Sequence, residues 1–150
     1  LFYTAKNRII VVVRLSETAN KKLKELGVGT VYLFGSRATD TALENSDYDI
    51  GIVFLNVKQV YENDINLFTA LYEILINDFP DRIGGSKPDI SFLQRANAAL
   101  EMSAIRDGVV LFEASPIFRA DYEEEVIKRY DDYLPLQKEY EGATFSAFKR

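Results

Sequence analysis

Short β-type runs alternating with segments of helical apolar spacing predict an α/β fold of the α+β kind, built on a small mixed β-sheet. Size and continuity support it. The 150 residues suit one domain with its own core, and no Gly/Ser-rich linker, repeat or low-complexity stretch divides them. The chain, 1–150, is therefore read as a single domain ending in a helical arm over about 115–141.

The elements follow in order. Arg8 to Leu15 is apolar, but periodicity does not separate a strand from a helical turn there. Ser16 to Gly27 reads as a helix, with Ser16 as N-cap and Gly27 as its stop. Thr30 to Phe34 is a short strand ending at Gly35, and beyond a polar stretch Tyr48 to Leu55 is a second strand. Val60, Ile65, Leu67, Phe68, Leu71 and Leu75 recur at helical spacing between Lys58 and Phe79, and Pro80 closes that helix. A Gly84-Gly85 turn leads into a third strand, Pro88 to Leu93. Ala96 to Arg106 reads as a helix and Gly108 to Phe112 as a strand. Ser115 then caps a last helix with Pro116 at its first position. Phe118, Tyr122, Val126, Tyr130 and Tyr133 share one face of it, expected to pack on the core, with a partner-binding face as the alternative, and Pro135 is expected to kink or interrupt it.

Composition removes most chemistries. Without Cys there are no disulfides, thiolate metal sites or Cys nucleophiles; without His there is no Ser-His-Asp triad. What remains is carboxylates, hydroxyls, Lys, Arg and oxygen-bound metal, a ligand set that suits Mg²⁺. A net charge of −5 argues against direct nucleic-acid binding, which wants a basic face. The longest apolar run, Ile9 to Val13, is strand-sized, so no membrane partner is expected and the protein is read as soluble and cytoplasmic. Met102 is the only methionine, so the chain is expected to begin after its natural start.

One spacing concentrates the chemistry: Gly35-Ser36, ten residues, then Asp47-Tyr48-Asp49. Gly35 lacks a Cβ and lets backbone approach a phosphate, with N–H groups of a following helix start to cradle it; Ser36 adds a hydroxyl. Asp47 and Asp49 point the same way if both join the strand, with Cα atoms roughly 6.5–7 Å apart. That spacing can bracket the two-metal arrangement of phosphoryl displacement. Asp89, in the separate stretch Lys87 to Leu93, completes the cluster if its strand lies beside theirs, and is then placed to take the attacking hydroxyl's proton. Arg37 is a candidate phosphate contact, against the plainer reading of a solvated loop arginine.

At Leu33-Phe34-Gly35-Ser36-Arg37-Ala38 and Ser46-Asp47-Tyr48-Asp49-Ile50-Gly51-Ile52-Val53-Phe54, the chain resembles the minimal nucleotidyltransferases of the DNA polymerase β superfamily. Small size and motif spacing are most similar to the MntA-type antitoxins, which pair with HEPN-family toxins. The resemblance covers most of the chain from about Ser16, its specific part being the motif. It implies a nucleotidyltransferase (polymerase β-like) fold with helices on one side of the sheet. It also implies transfer of AMP from ATP to a tyrosine of the toxin, a ribonuclease. In that scheme Gly35 and Ser36 hold the triphosphate, Asp47 and Asp49 bind Mg²⁺, and Asp89 binds metal or acts as base. The tail Tyr130 to Leu136 is similar to the C-terminal region of the group. After Gly-Ser-Arg-Ala many relatives carry a basic residue and a glycine, where this chain has Thr39-Asp40. Two alternatives stay open: an antitoxin acting by binding alone, and a transferase using a small-molecule acceptor such as an aminoglycoside.

Overall fold

The computed structural model describes residues 2–5, 8–11, 13–39, 41–42, 46–79 and 87–148. Asp40, the helix stop at Pro80 and the Gly84-Gly85 turn lie outside the described residues. Strands β1 (Phe2–Ala5) and β2 (Arg8–Val11) pair antiparallel as a hairpin of their own, so the apolar stretch from Arg8 is a strand that does not join the main sheet. Helix α1 (Glu17–Glu25) starts as its cap dictates: the Ala19 N–H donates to Ser16 Oγ at 3.1 Å. Gly27, at φ +83°, turns the chain into β3 (Val28–Phe34). Strand β4 (Tyr48–Phe54) follows, then α2 (Lys58–Glu62) and α3 (Asp64–Leu75), separated at Asn63 where a single helix was expected. Strand β5 (Pro88–Phe92), α4 (Ala98–Asp107), β6 (Val109–Glu113) and α5 (Pro116–Phe148) complete the order.

The main sheet runs β5-β4-β3-β6, with β4 and β5 parallel and β3 antiparallel to both its neighbours: the expected small mixed sheet. Strand alternation sends side chains to two different layers. Val31, Leu33, Ile50, Ile52 and Phe54 join Leu23 of α1 and Leu67, Leu71 and Leu75 of α3 in a large apolar core. Tyr32, Phe34 and Val53 point the other way, against Ala104 of α4 and Tyr122 and Val126 of α5. Helices thus cover the opposite face as well, a second layer beyond the one-sided packing that the resemblance implied.

Helical spacing does not bring every apolar residue to the core: Ile65 and Phe68 are exposed (77% and 44%), while Leu67, Leu71 and Leu75 of α3 are buried in it and Tyr72 and Ile74 pack against it. Helix α5 runs through Pro135 without ending; the ring removes one hydrogen bond where Asp131 and Pro135 are both exposed and the freed carbonyl can be hydrated. Tyr133 is 40% exposed, and the apolar residues of α5 buried against the body are Tyr122 and Val126, with Phe118 packed beside them. Among the described residues no helix is long and apolar enough to cross a membrane.

Candidate active site

The carboxylates meet because of one parallel pairing. Strand β5 lies beside β4 with Asp49 opposite Asp89, so two acids from distant stretches face each other across about 4.8 Å of ladder. Their neighbours Tyr48, Ile50 and Ile90 are buried in the large apolar core. Alternation then turns Asp49 and Asp89 to the face that α4 and α5 cover. β4 begins at Tyr48, so Asp47 sits one residue ahead of the ladder rather than in it. It is exposed, and its Oδ1 accepts the Lys87 N–H at 3.1 Å, which ties the entries of both strands together.

Across the sheet, Phe34 pairs with Asp49, which brings the turn after β3 to the same carboxylate. Gly35 has φ +68°, and a Cβ added there would run into Asp49 Oδ2. Left-handed backbone and close approach therefore both require glycine at this position. Among the described residues no full helix follows. Gly35–Arg37 makes one 3-10 turn, closed by the Ala38 and Thr39 N–H groups donating to Gly35 O at 3.1 and 3.2 Å. Ser36 is half-buried in that turn. Arg37 donates to Ser46 O through Nε (3.1 Å) and Nη2 (2.6 Å) and lies 4.7 Å over the Tyr48 ring. These contacts span the loop and hold its far end, next to Asp47, against the turn.

The site concentrates negative charge. Burial, then the charges of Asp89 and Asp47, push the Asp49 carboxyl above its usual range. A divalent cation relieves such crowding, and the all-oxygen donors fit a hard ion such as Mg²⁺ in kind. As the side chains stand, no three acids among the described residues are gathered closely enough to grip a metal ion. Asp47, the one engaged with the Lys87 amide, is exposed at the strand entry and has room to turn.

Two features escaped the sequence reading. The bracing role of Arg37 had no signal beyond its place in the motif. Glu101 is 2% exposed on α4, where it accepts from the Tyr122 hydroxyl at 2.9 Å and from Arg129 at 3.1 Å. A glutamate in an amphipathic helix reads as solvated, so nothing local marked it.

Residues 16–117 match a sequence profile described as Polymerase beta, Nucleotidyltransferase. No curated protein sequence matches the chain. Among solved structures, a toxin–antitoxin with AMP-PNP is similar at TM-score 0.56 and 21% identity, covering 83% of this chain and 94% of that one. The MntA–HepT toxin–antitoxin is similar at TM-score 0.54 and 21% identity, covering 85% and 92%. A complex of tri-AMPylated Shewanella oneidensis HEPN toxin with MNT antitoxin is similar at TM-score 0.53 and 19% identity, covering 87% and 96%. At these identities the likeness is one of fold.

Proposed function

Because this chain belongs to the polymerase β nucleotidyltransferase family, we propose that it is an antitoxin that moves AMP from ATP to a tyrosine of a HEPN-family toxin, with Mg²⁺, and so silences it. The observation that carries the reading is the parallel register of Asp49 and Asp89, with Asp47 at the strand entry and the Gly35 turn against Asp49. The fold shared with MNT–HEPN complexes, one of them holding an AMPylated toxin, supports the protein acceptor. The fold shared with a toxin–antitoxin bound to AMP-PNP supports ATP.

In this reading each residue has a separate task. The Gly35-Ser36 turn brings backbone and a hydroxyl to the triphosphate and orients the leaving pyrophosphate. Asp47, Asp49 and Asp89 would hold Mg²⁺, which would supply positive charge against the negative charge that develops on the phosphates. Asp89, exposed on the edge strand β5, takes the proton of the attacking tyrosine hydroxyl. The new O–P bond forms at the α-phosphorus as its bond to the bridging oxygen breaks, and pyrophosphate departs. Arg37 acts at one remove, keeping Ser46 and hence Asp47 in register with the turn.

The test mixes the chain with a HEPN-family toxin, Mg²⁺ and ATP labelled at the α-phosphate. Label is expected on the toxin, reduced about a hundredfold or more in Asp49→Asn and Asp89→Asn. Toxin neutralised equally well by both variants, with no label moved, would replace this reading with binding alone. Label on an aminoglycoside but not on protein would replace the acceptor.

A further inference from the structure

Helix α5 is longer than the body it packs against. Phe118 lies against Gly29 near the start of β3, and Glu123 accepts the Tyr32 hydroxyl at 2.8 Å. The helix therefore advances in the direction of β3, toward the sheet end at which Gly35 turns the chain. From Tyr32 to Phe34 is about 7 Å of strand, whereas from Glu123 to Tyr133 is about 15 Å of helix. The last four turns thus overhang the sheet at the end that carries Asp49 and Asp89. They belong to the same layer, since Tyr122 and Val126 cover the face to which those carboxylates turn.

The face that packs on the body does not stop where the body stops. Phe118, Tyr122 and Val126 continue through half-buried Tyr130, at spacings of three and four, as Tyr133, Leu136 and Tyr140, the last three exposed by 40%, 64% and 77%. An apolar stripe at such spacing on a helix is the form in which helices enter protein grooves. Pro135 and Gly142 make this half weak as a free helix, so its apolar face gains most from a partner. Asp132 and Glu139 border the stripe on one side and Glu141 on the other. A second copy would set the same acids against each other; a basic rim around an apolar patch complements them.

We propose that the overhanging half of α5 is the seat of the protein acceptor, taking an apolar, basic-rimmed surface and presenting its hydroxyl to the Asp49–Asp89 end of the sheet. The identity of that acceptor as a HEPN toxin rests on the function proposed above; the seat itself rests on the stripe. The test measures affinity for the HEPN protein by titration calorimetry, and separately the rate of label transfer. Leu136→Ala with Tyr140→Ala is expected to weaken binding at least about tenfold, with transfer restored at high toxin concentration and the KM for ATP unchanged. Asp132→Lys with Glu139→Lys is expected to weaken binding and to lower its salt dependence. Wild-type binding without transfer, lost in the first variant, sustains the seat while sinking the adenylylation reading. Transfer and binding untouched by both variants overturn the seat and leave that reading standing. A wild-type dimer in light scattering that these variants dissociate also overturns it, in favour of a second copy.

Discussion

The two faces of the sheet divide the labour. Toward α1 and α3, β4 presents Tyr48, Ile50, Ile52 and Phe54 to a large apolar core. Toward α4 and α5, the same strand presents Asp49, Gly51 and Val53 to a layer threaded with charge. There Tyr32 donates to Glu123, Arg119 joins Glu113 and Glu123, and Glu101 binds Tyr122 and Arg129. Burial together with the neighbouring carboxylates raises both tyrosine hydroxyls well above their usual range, so they remain donors. Two side chains apart along one strand, stability and chemistry are kept from interfering. The face toward α1 and α3 is packed for cohesion, while on the other face the crowded acids lie where Asp49 is half-buried and Asp89 is exposed.

The sharpest way to break that contrast is on the apolar face. Phe54 is fully buried and meets Phe92 edge-on at 5.9 Å. Phe54→Ala is expected to cost about 3–5 kcal/mol in urea unfolding, with the transfer rate per folded molecule unchanged. On the polar face, Glu101→Ala removes the acceptor of a buried hydroxyl, while half-exposed Arg129 is rehydrated. The expected loss is about 2–3 kcal/mol, and Tyr122→Phe in that background should add little, since the pair acts as a unit.

The smallest effect has the opposite sign. The folded protein holds the Asp49 proton more tightly than the unfolded chain does. Folded molecules therefore bind more protons as pH rises past the usual carboxylate value of 3.8. Stability falls over that interval, and the loss persists above the raised value. Asp49→Asn is expected to remove this part of the pH slope and to be slightly more stable than wild type at neutral pH, a small gain because the site is screened by solvent. Label transfer should disappear in the same protein. A variant that is both less stable and inactive would mean that Asp49 serves packing rather than chemistry.

Much of the architecture was legible because its signals are local. Ser16 and Gly27 bound a helix through cap chemistry, and the Tyr48–Phe54 run could bury one face only as a strand. The Gly-Ser turn was legible because a positive φ beside a carboxylate leaves glycine as the residue that fits. Ile65 and Phe68 recur at helical spacing yet stay exposed, because spacing shows that a face exists, not how wide a stripe its neighbour covers. Pro135 does not interrupt α5, where its lost backbone bond falls at an exposed carbonyl that water can reach. Arg37 drew attention as a cation near phosphate; the structure adds contacts to Ser46 and Tyr48, which only the folded loop brings within reach.

By itself the sequence determined the chemical vocabulary: no thiol, no imidazole, three candidate carboxylates, and a glycine turn at fixed spacing from two of them. Those are matters of residue identity and short-range geometry, which a chain carries before it folds. Only the tertiary structure decided that Asp89 stands opposite Asp49, because parallel pairing joins strands about forty residues apart through backbone bonds that no local pattern specifies. It also decided that the arm of α5 passes the carboxylate end of the sheet with its apolar face uncovered. That is a question of where the body stops, and the length of a helix is written in its sequence while the extent of its partner is not.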